Sequence, residues 1–318
     1  MLSAGGPKKS ISLWVKRMFK YIMGRIGAML LTIFLVMTLS FWVIRLMPMT
    51  IFENPEVPPE VQYKLEERMH LHDPMIVQYF YFLEGIVTRG DFGTSVKMRP
   101  GMEVFDIIMA RIPPTMILNF FSMLISIPLG IIVGTVAALK RNRWPDHVLS
   151  FLIVIFISVP SFVFASLLQY VFTYAWPIFP TLYDTQAPDV WSAFRSMVLP
   201  IVALSLGPIA TIARYLRGEL IETLSSEYML LARTKGLTQR EATWKHAFRN
   251  SMVPIANTII PMITGIMGGS LVIENMFSVP GEGGMLVESI KGGDHFLTVA
   301  LLIEVVCYDH CILLAKLF

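Results

Sequence analysis

Charge is what this chain has least of. Only 15% of its 318 residues are Asp, Glu, Lys or Arg, against roughly 25% in a soluble domain. Set beside 54% hydrophobic residues, that shortage argues against a soluble globular enzyme and for an all-α polytopic membrane protein. The net charge of +3 is too small to suggest a nucleic-acid binder. Cysteine is nearly missing: Cys307 and Cys311 make no disulfide framework. Chemical motifs are missing as well. No Gly-x4-Gly-Lys-Ser/Thr loop occurs, so the chain has no Walker-type ATP site and any driving energy must come from elsewhere. No HExxH, CxxC or GxSxG pattern occurs, and no internal repeat or low-complexity tract is evident. Aromatics and methionine are plentiful, with 21 Phe and 21 Met, and this excludes disorder as the main state.

A membrane-crossing helix needs about 20 mostly apolar residues. Spans are predicted over about 26–46, 115–139, 148–176, 197–213, 250–273 and 296–314. The fourth is short and holds Pro200 and Pro208, and the sixth is interrupted by Glu304, Asp309 and His310. Lys and Arg crowd the segment 1–21 (Lys8, Lys9, Lys16, Arg17, Lys20), the turn 140–147 (Lys140, Arg141, Arg143) and the loop 214–252. The intervening loops 177–196 and 277–295 hold only Arg195 and Lys291. That alternation places both termini in the cytoplasm, with 47–114 as a long outer loop. The N-terminal stretch lacks the cleavage pattern of a signal peptide. Trp42 and Trp176 fall near outer interfaces and Trp144 near an inner one, where amphipathic rings are favoured.

The outer loop is expected to be structured. Residues 60–71 and 75–87 have helical spacing, 89–95 reads as a turn, and 104–112 reads as a short amphipathic helix ended by Pro113-Pro114. His70-Leu-His72 is a weak pattern for a metal, and no metal site is expected. The loop 214–252 reads as two helices, 219–232 and one starting at Thr238, separated by Gly236. Thr238-x-x-Glu241 has capping-box spacing, and Pro254 falls in the first turn of the following span. This short basic finger is too small to be a catalytic domain. It can pass force to a soluble partner, or lie on anionic lipid as an amphipathic helix.

Polar residues inside the spans are scarce. Asn119 and Asn257 are pathway candidates or interhelical glue. Glu274 is a gate candidate or an interfacial carboxylate bonded to loop backbone. Gly130-x3-Gly134 and Gly265-x3-Gly269 put small residues on one helical face, for close packing or a widened pathway. Pro128, Pro160, Pro200, Pro208 and Pro261 kink helices, as a bending transporter or a static bundle can use.

At Tyr228-Met-Leu-Leu-Ala-Arg-Thr-Lys-Gly-Leu-Thr-Gln-Arg and His246-Ala-Phe-Arg-Asn-Ser-Met-Val-Pro the chain resembles the permease subunits of bacterial oligopeptide, dipeptide and nickel ABC importers, in their B-type branch. The resemblance extends to Arg89-Gly-Asp-Phe-Gly-Thr-Ser, Arg111-Ile-Pro-Pro-Thr and Val272-Ile-Glu-Asn-Met-Phe-Ser-Val-Pro-Gly, and covers roughly 22–303. It implies the type I ABC importer permease fold in the bacterial inner membrane. It also implies a non-catalytic subunit with no cofactor, a second homologous permease chain, two ABC ATPase subunits, an external substrate-binding protein and a peptide substrate. In that family a cytoplasmic coupling helix docks in a groove of the ATPase. Carried over, the docking residues are Glu227, Tyr228, Ala232, Arg233, Lys235, Gly236 and Arg240, with Ala232 and Gly236 as the motif's small residue and glycine. Leu230 stands where the general motif has Glu. The tail 304–318 departs from the family, as a divergence, a partly solvated pathway or a sequence error. The alternative function is an ion-coupled secondary transporter working without ATPases, which calls for titratable residues at mid-membrane and repeated halves.

Overall fold

A computed structural model describes residues 7–46, 60, 63, 66, 67, 70, 72–95 and 97–315. The chain divides into two compact units, 1–104 with 292–318, and 105–291.

In the first unit, α1 (Pro7–Leu46) pairs with α12 (His295–Ala315). Met37, Val299 and Ile303 are buried there, beside Phe82, Ile86 and Phe92. Only 6% of the apolar window of α1 is buried within the chain, so most of this helix is built to face lipid or another protein. The short helix α2 (Met75–Glu84) runs into a π-turn over Gly85–Arg89 and stops at Gly90, φ 63°. The expected helix over 60–71 is helical at Glu60, Tyr63, Glu66 and Glu67 and in a turn at His70, and its other positions lie outside the described residues. His70 and His72 do not converge. His70 Nδ1 lies 2.9 Å from Asp73 and His72 Nε2 lies 3.3 Å from Glu66.

The segment 89–95 is the expected turn. It becomes one side of a small hairpin in which Thr94 bridges Glu103. Asp294, fully buried, accepts the Ser95 hydroxyl and the backbone N–H groups of Lys97 and Met98. Gly93 sits at φ +84°, where a Cβ would come within 2.6 Å of the Phe296 ring. In α12 the Tyr308 hydroxyl donates to Glu304 at 2.8 Å, one turn away, so the helix supplies a partner for its own carboxylate. The side chains from Asp309 onward, Cys311 included, lie outside the described residues.

The second unit is arranged around α6 (Val190–Leu224). Of its apolar window 56% is buried, against 22% for α3 (Val104–Leu139). The helix is continuous through Pro200 and Pro208, so the expected span 197–213 is the middle of a longer helix. Helix α3 packs on α6 through a stripe of small residues one turn apart. Ser205 donates to the Ser122 carbonyl at 3.2 Å, and Ser126 donates to the Ser205 carbonyl at 3.3 Å. Below them a Cβ on Gly130 would meet Ile212 at 2.7 Å, and one on Gly134 the Ala213 carbonyl at 2.8 Å. In lipid, where burial of apolar area drives little association, such close approach and interhelical hydrogen bonds hold helices together.

Several expected boundaries move. Pro113-Pro114 does not end a helix, because α3 continues through both. The carbonyls they free belong to Met109 and Ala110, which are exposed residues. The segment 148–176 is not one rod. It is α4 (Trp144–Ser158) and α5 (Ser161–Gln169, extended by a π-turn to Ala175), bent by 102°. Pro160 forces the residue before it out of the helical region, and Val159 sits at φ −88°, ψ 129°. The segment 250–273 breaks too. Helix α9 (Arg249–Thr264) ends in a 3-10 turn over Gly265–Met267, and α10 (Leu271–Phe277) follows. Gly265 and Gly269 therefore do not share a helical face. Gly269 instead approaches the backbone of Gly283 in α11 (Glu282–Gly292). Three described helices are long and apolar enough to cross a membrane, or four if the bent pair counts as one span.

Gly134→Leu is expected to destabilise the protein by about 1–3 kcal/mol through overpacking. Gly207→Ala, where a Cβ meets nothing within 4 Å, should keep or slightly raise stability, since glycine is the poorer helix former. Thermal unfolding in detergent compares the two.

Candidate functional site

The finger between α6 and α9 is built by local chemistry. The helix expected over 219–232 breaks at Ser225-Ser226. The Ser225 hydroxyl donates to the Glu222 carbonyl at 2.9 Å and that of Ser226 to the Thr223 carbonyl at 2.5 Å, and such back-bonding competes with the helix ladder. A new helix, α7 (Glu227–Thr234), starts from Ser226 in extended conformation. It ends in a Schellman turn. Leu237 N–H donates to the Ala232 carbonyl at 3.3 Å and Gly236 N–H to the Arg233 carbonyl at 3.0 Å, while Gly236 takes φ +91°. Thr238 then caps α8 (Gln239–Ala242). Its hydroxyl accepts from Glu241 N–H, and its own N–H donates to the Glu241 carboxylate at 3.0 Å. That backbone hydrogen bond holds the Glu241 carboxyl below its ordinary range. Helical backbone continues from α8 through a π-turn over Thr243–Phe248 into α9. Pro254 is therefore inside a continuous helix and not in its first turn.

The inner side of the elbow is buried on its own protein. Met229, Ala232, Ala242 and Ala247 pack with Leu220 and Ala138, beside Leu237. Ala232 is small because it lies against the rest of the chain, so its size is not available to a groove elsewhere. Gly236 is glycine because of its φ. A Cβ there would meet nothing within 4 Å, and the site is open. The other proposed docking residues, Glu227, Tyr228, Arg233, Lys235 and Arg240, are all exposed. Between them lie Leu230 and Leu231, 65% and 55% exposed. Sequence reading named Leu230 only as a departure from a motif. The helical period of Met229 and Ala232 was the signal that the two leucines face away from the chain.

The in-span candidates separate. Asn119 donates to the carbonyls of Ile266 and Gly268 at 2.9 and 2.8 Å, the acceptors left over where α9 breaks. Glu274 is fully buried. Its Oε1 accepts the Thr115 hydroxyl at 2.9 Å and Ser270 N–H at 3.2 Å, and its Oε2 accepts Gly283 and Gly284 N–H at 2.7 and 3.2 Å. The last two are orphan donors at the start of α11, where a carboxylate is favoured by geometry and dipole alike. Thr115 Oγ1 in turn accepts Glu282 N–H at 3.0 Å, and Arg111 reaches Glu288 at 4.0 Å. Glu274 thus ties backbone together, and its lone pairs are engaged by the chain. Asn257 is exposed on α9, as is Val253 one turn before it. Of the in-span candidates, it alone presents itself outward.

The description "Binding-protein-dependent transport system inner membrane component" matches residues 126–317. A companion description of the N-terminal part of such membrane components matches 18–119. Among curated proteins the chain is similar to the dipeptide transport system permease protein DppB of Lactococcus lactis subsp. cremoris, with 39% identity over 87% of this chain and 88% of that one. It is also similar to DppB of Bacillus subtilis, at 36% over 87% and 88%. The oligopeptide transport system permease protein OppB of Salmonella typhimurium is 36% identical over 91% and 92%.

Glu274→Leu leaves the Thr115 hydroxyl and the facing amides without their acceptor, and should cost about 3 kcal/mol or more. Folded yield and thermal unfolding should both drop, whereas Asn257→Leu should leave them unchanged. A Glu274→Leu protein with normal stability would return Glu274 to the gate.

Proposed function

The chain belongs to the family of binding-protein-dependent transport system inner membrane components, and on that premise we propose that its elbow at 227–240 is where an ATPase subunit grips it. The protein is a multi-pass, non-catalytic permease subunit of a peptide ABC importer in the bacterial inner membrane. It works with ATPase and substrate-binding partners. In the finer scheme, a second homologous permease completes the pathway, two ATPases act from the cytoplasm, and the binding protein delivers dipeptides or oligopeptides from outside. The chain itself needs no cofactor.

One observation carries the elbow's role. Leu230 and Leu231 are exposed beside Arg233, Lys235 and an open Gly236, on a finger whose inner face is already buried. Exposed apolar residues rimmed by polar ones mark an interaction site. Glu227, Tyr228 and Arg240 surround that patch and fix orientation, while Ala232 acts from beneath by seating α7. ATP-driven closure can shift the membrane equilibrium only by its unequal grip on the two states, and this is the surface where the grip is applied. Asn257 on the open face of α9 is the pathway residue. Asn119 and Glu274 keep the broken helices in place around it.

Leu230→Ser with Leu231→Ser should leave the permease inserted and folded, since neither residue packs in the elbow's core. Its affinity for the ATPase should fall about tenfold or more, as for loss of an apolar anchor. Co-purification and peptide-stimulated ATP hydrolysis measure this. Unchanged association would remove the elbow's assigned role. A bulky residue at 236 is a poorer probe, because an L side chain in left-handed backbone costs about 1–2 kcal/mol by itself.

A further inference from the structure

Asp146 and Arg217 form an ion pair outside every residue considered so far. Arg217 donates from Nε to Oδ1 at 2.6 Å and from Nη2 to Oδ2 at 2.8 Å, a parallel fork that fixes orientation as well as distance. The Asp146 side chain is only 2% exposed. Its Oδ2 also accepts Asn142 N–H at 2.9 Å, and its Oδ1 accepts the Ser150 hydroxyl at 3.2 Å. One carboxylate thus closes the turn between α3 and α4, lies in the first turn of α4 and holds α6 about two turns before that helix ends at Leu224. The same turn is held again by packing. Ala138, at the end of α3, is buried with Met229 and Ala232 of the elbow. The other charges of the turn, on Lys140, Arg141 and Arg143, are all basic and exposed, so none can replace Asp146 as the partner of Arg217.

A buried ion pair is weak evidence for stability, because desolvation offsets much of the attraction. What the fork supplies is a fixed geometry. We infer that Asp146 and Arg217 are positioning residues that carry movement of the elbow into α4. The inference rests on the elbow being the ATPase contact. A displacement applied near residues 230–236 reaches α6 and α9 along the chain. It reaches α4 through the fork. The helix pair α4–α5, broken at Val159-Pro160, is then drawn along with the elbow, and its bend is where that motion can be absorbed.

The test uses the complete importer in liposomes and reads peptide moved per ATP hydrolysed, a ratio that a smaller folded fraction does not change. Asp146→Asn and Arg217→Gln should each assemble with the ATPases and lower the ratio about tenfold, within the usual range of coupling between sites. The double variant should be no worse than either single, since both remove one interaction. A wild-type ratio in the singles, or losses that multiply in the double, overturns the inference. Should Arg217→Gln fail to assemble, Arg217→Lys carries the test, because it keeps the charge and loses the fork. A lowered ratio then supports the inference and a wild-type ratio overturns it. If the Leu230/Leu231 variant uncouples and these do not, this inference alone fails. If none of them uncouples, the elbow reading fails with it.

Discussion

A backbone amide or carbonyl inside a bilayer has no water to turn to, so each must find its partner within the protein. A chain of straight helices meets that demand without help. This chain breaks its helices at Val159-Pro160 and again after Thr264, and the second break leaves donors and acceptors that side chains must take up. Asn119 covers carbonyls at Ile266 and Gly268. Glu274 covers amides at Ser270, Gly283 and Gly284. The scarce polar residues of the apolar segments are therefore largely committed to keeping irregular backbone satisfied. That commitment weakens the case for an ion-coupled transporter, which calls for titratable residues at mid-membrane.

The motifs that carried the resemblance lie at close contacts, and four of them meet one another in two pairs. Thr115 of the Arg111–Thr115 stretch binds Glu274 of the 272–281 stretch. Gly93 and Ser95 of the 89–95 turn lie against Phe296 and Asp294. In the elbow, Ala232 of the first loop motif packs with Ala247 of the second. Each motif is one half of a contact. Its residues are small, or hydrogen-bonding, because the other half comes close.

Much of this was legible in the sequence, and the failures have physical causes. Hydropathy gives the class of protein. Thr238-x-x-Glu241 and Gly236 predict the elbow's caps, because those signals are local. Boundaries that depend on neighbours are misread. Pro113-Pro114 looks like a terminator, yet α3 passes through, since a proline's unpaired carbonyl is tolerable where the residue is exposed. Gly265-x3-Gly269 looks like a helical stripe, yet the α-helix ends at Thr264, before both. Of the stripe Ser122, Ser126, Gly130, Gly134, only the glycine half stands out in the sequence, because serine's hydroxyl hides its small size. Asp146 and Arg217 were invisible, since nothing in a sequence pairs two charges that far apart.

The central claim is that the surface around Gly236 lies on the cytoplasmic side and is covered by an ATPase subunit. A single cysteine in place of Lys235, with Cys307 and Cys311 changed to serine, allows that to be read with a membrane-impermeant maleimide. Labelling is predicted in inside-out vesicles alone, and it should be lost when the ATPase subunits are added back. Labelling from the outer side, or labelling that the ATPases leave unchanged, would contradict the account.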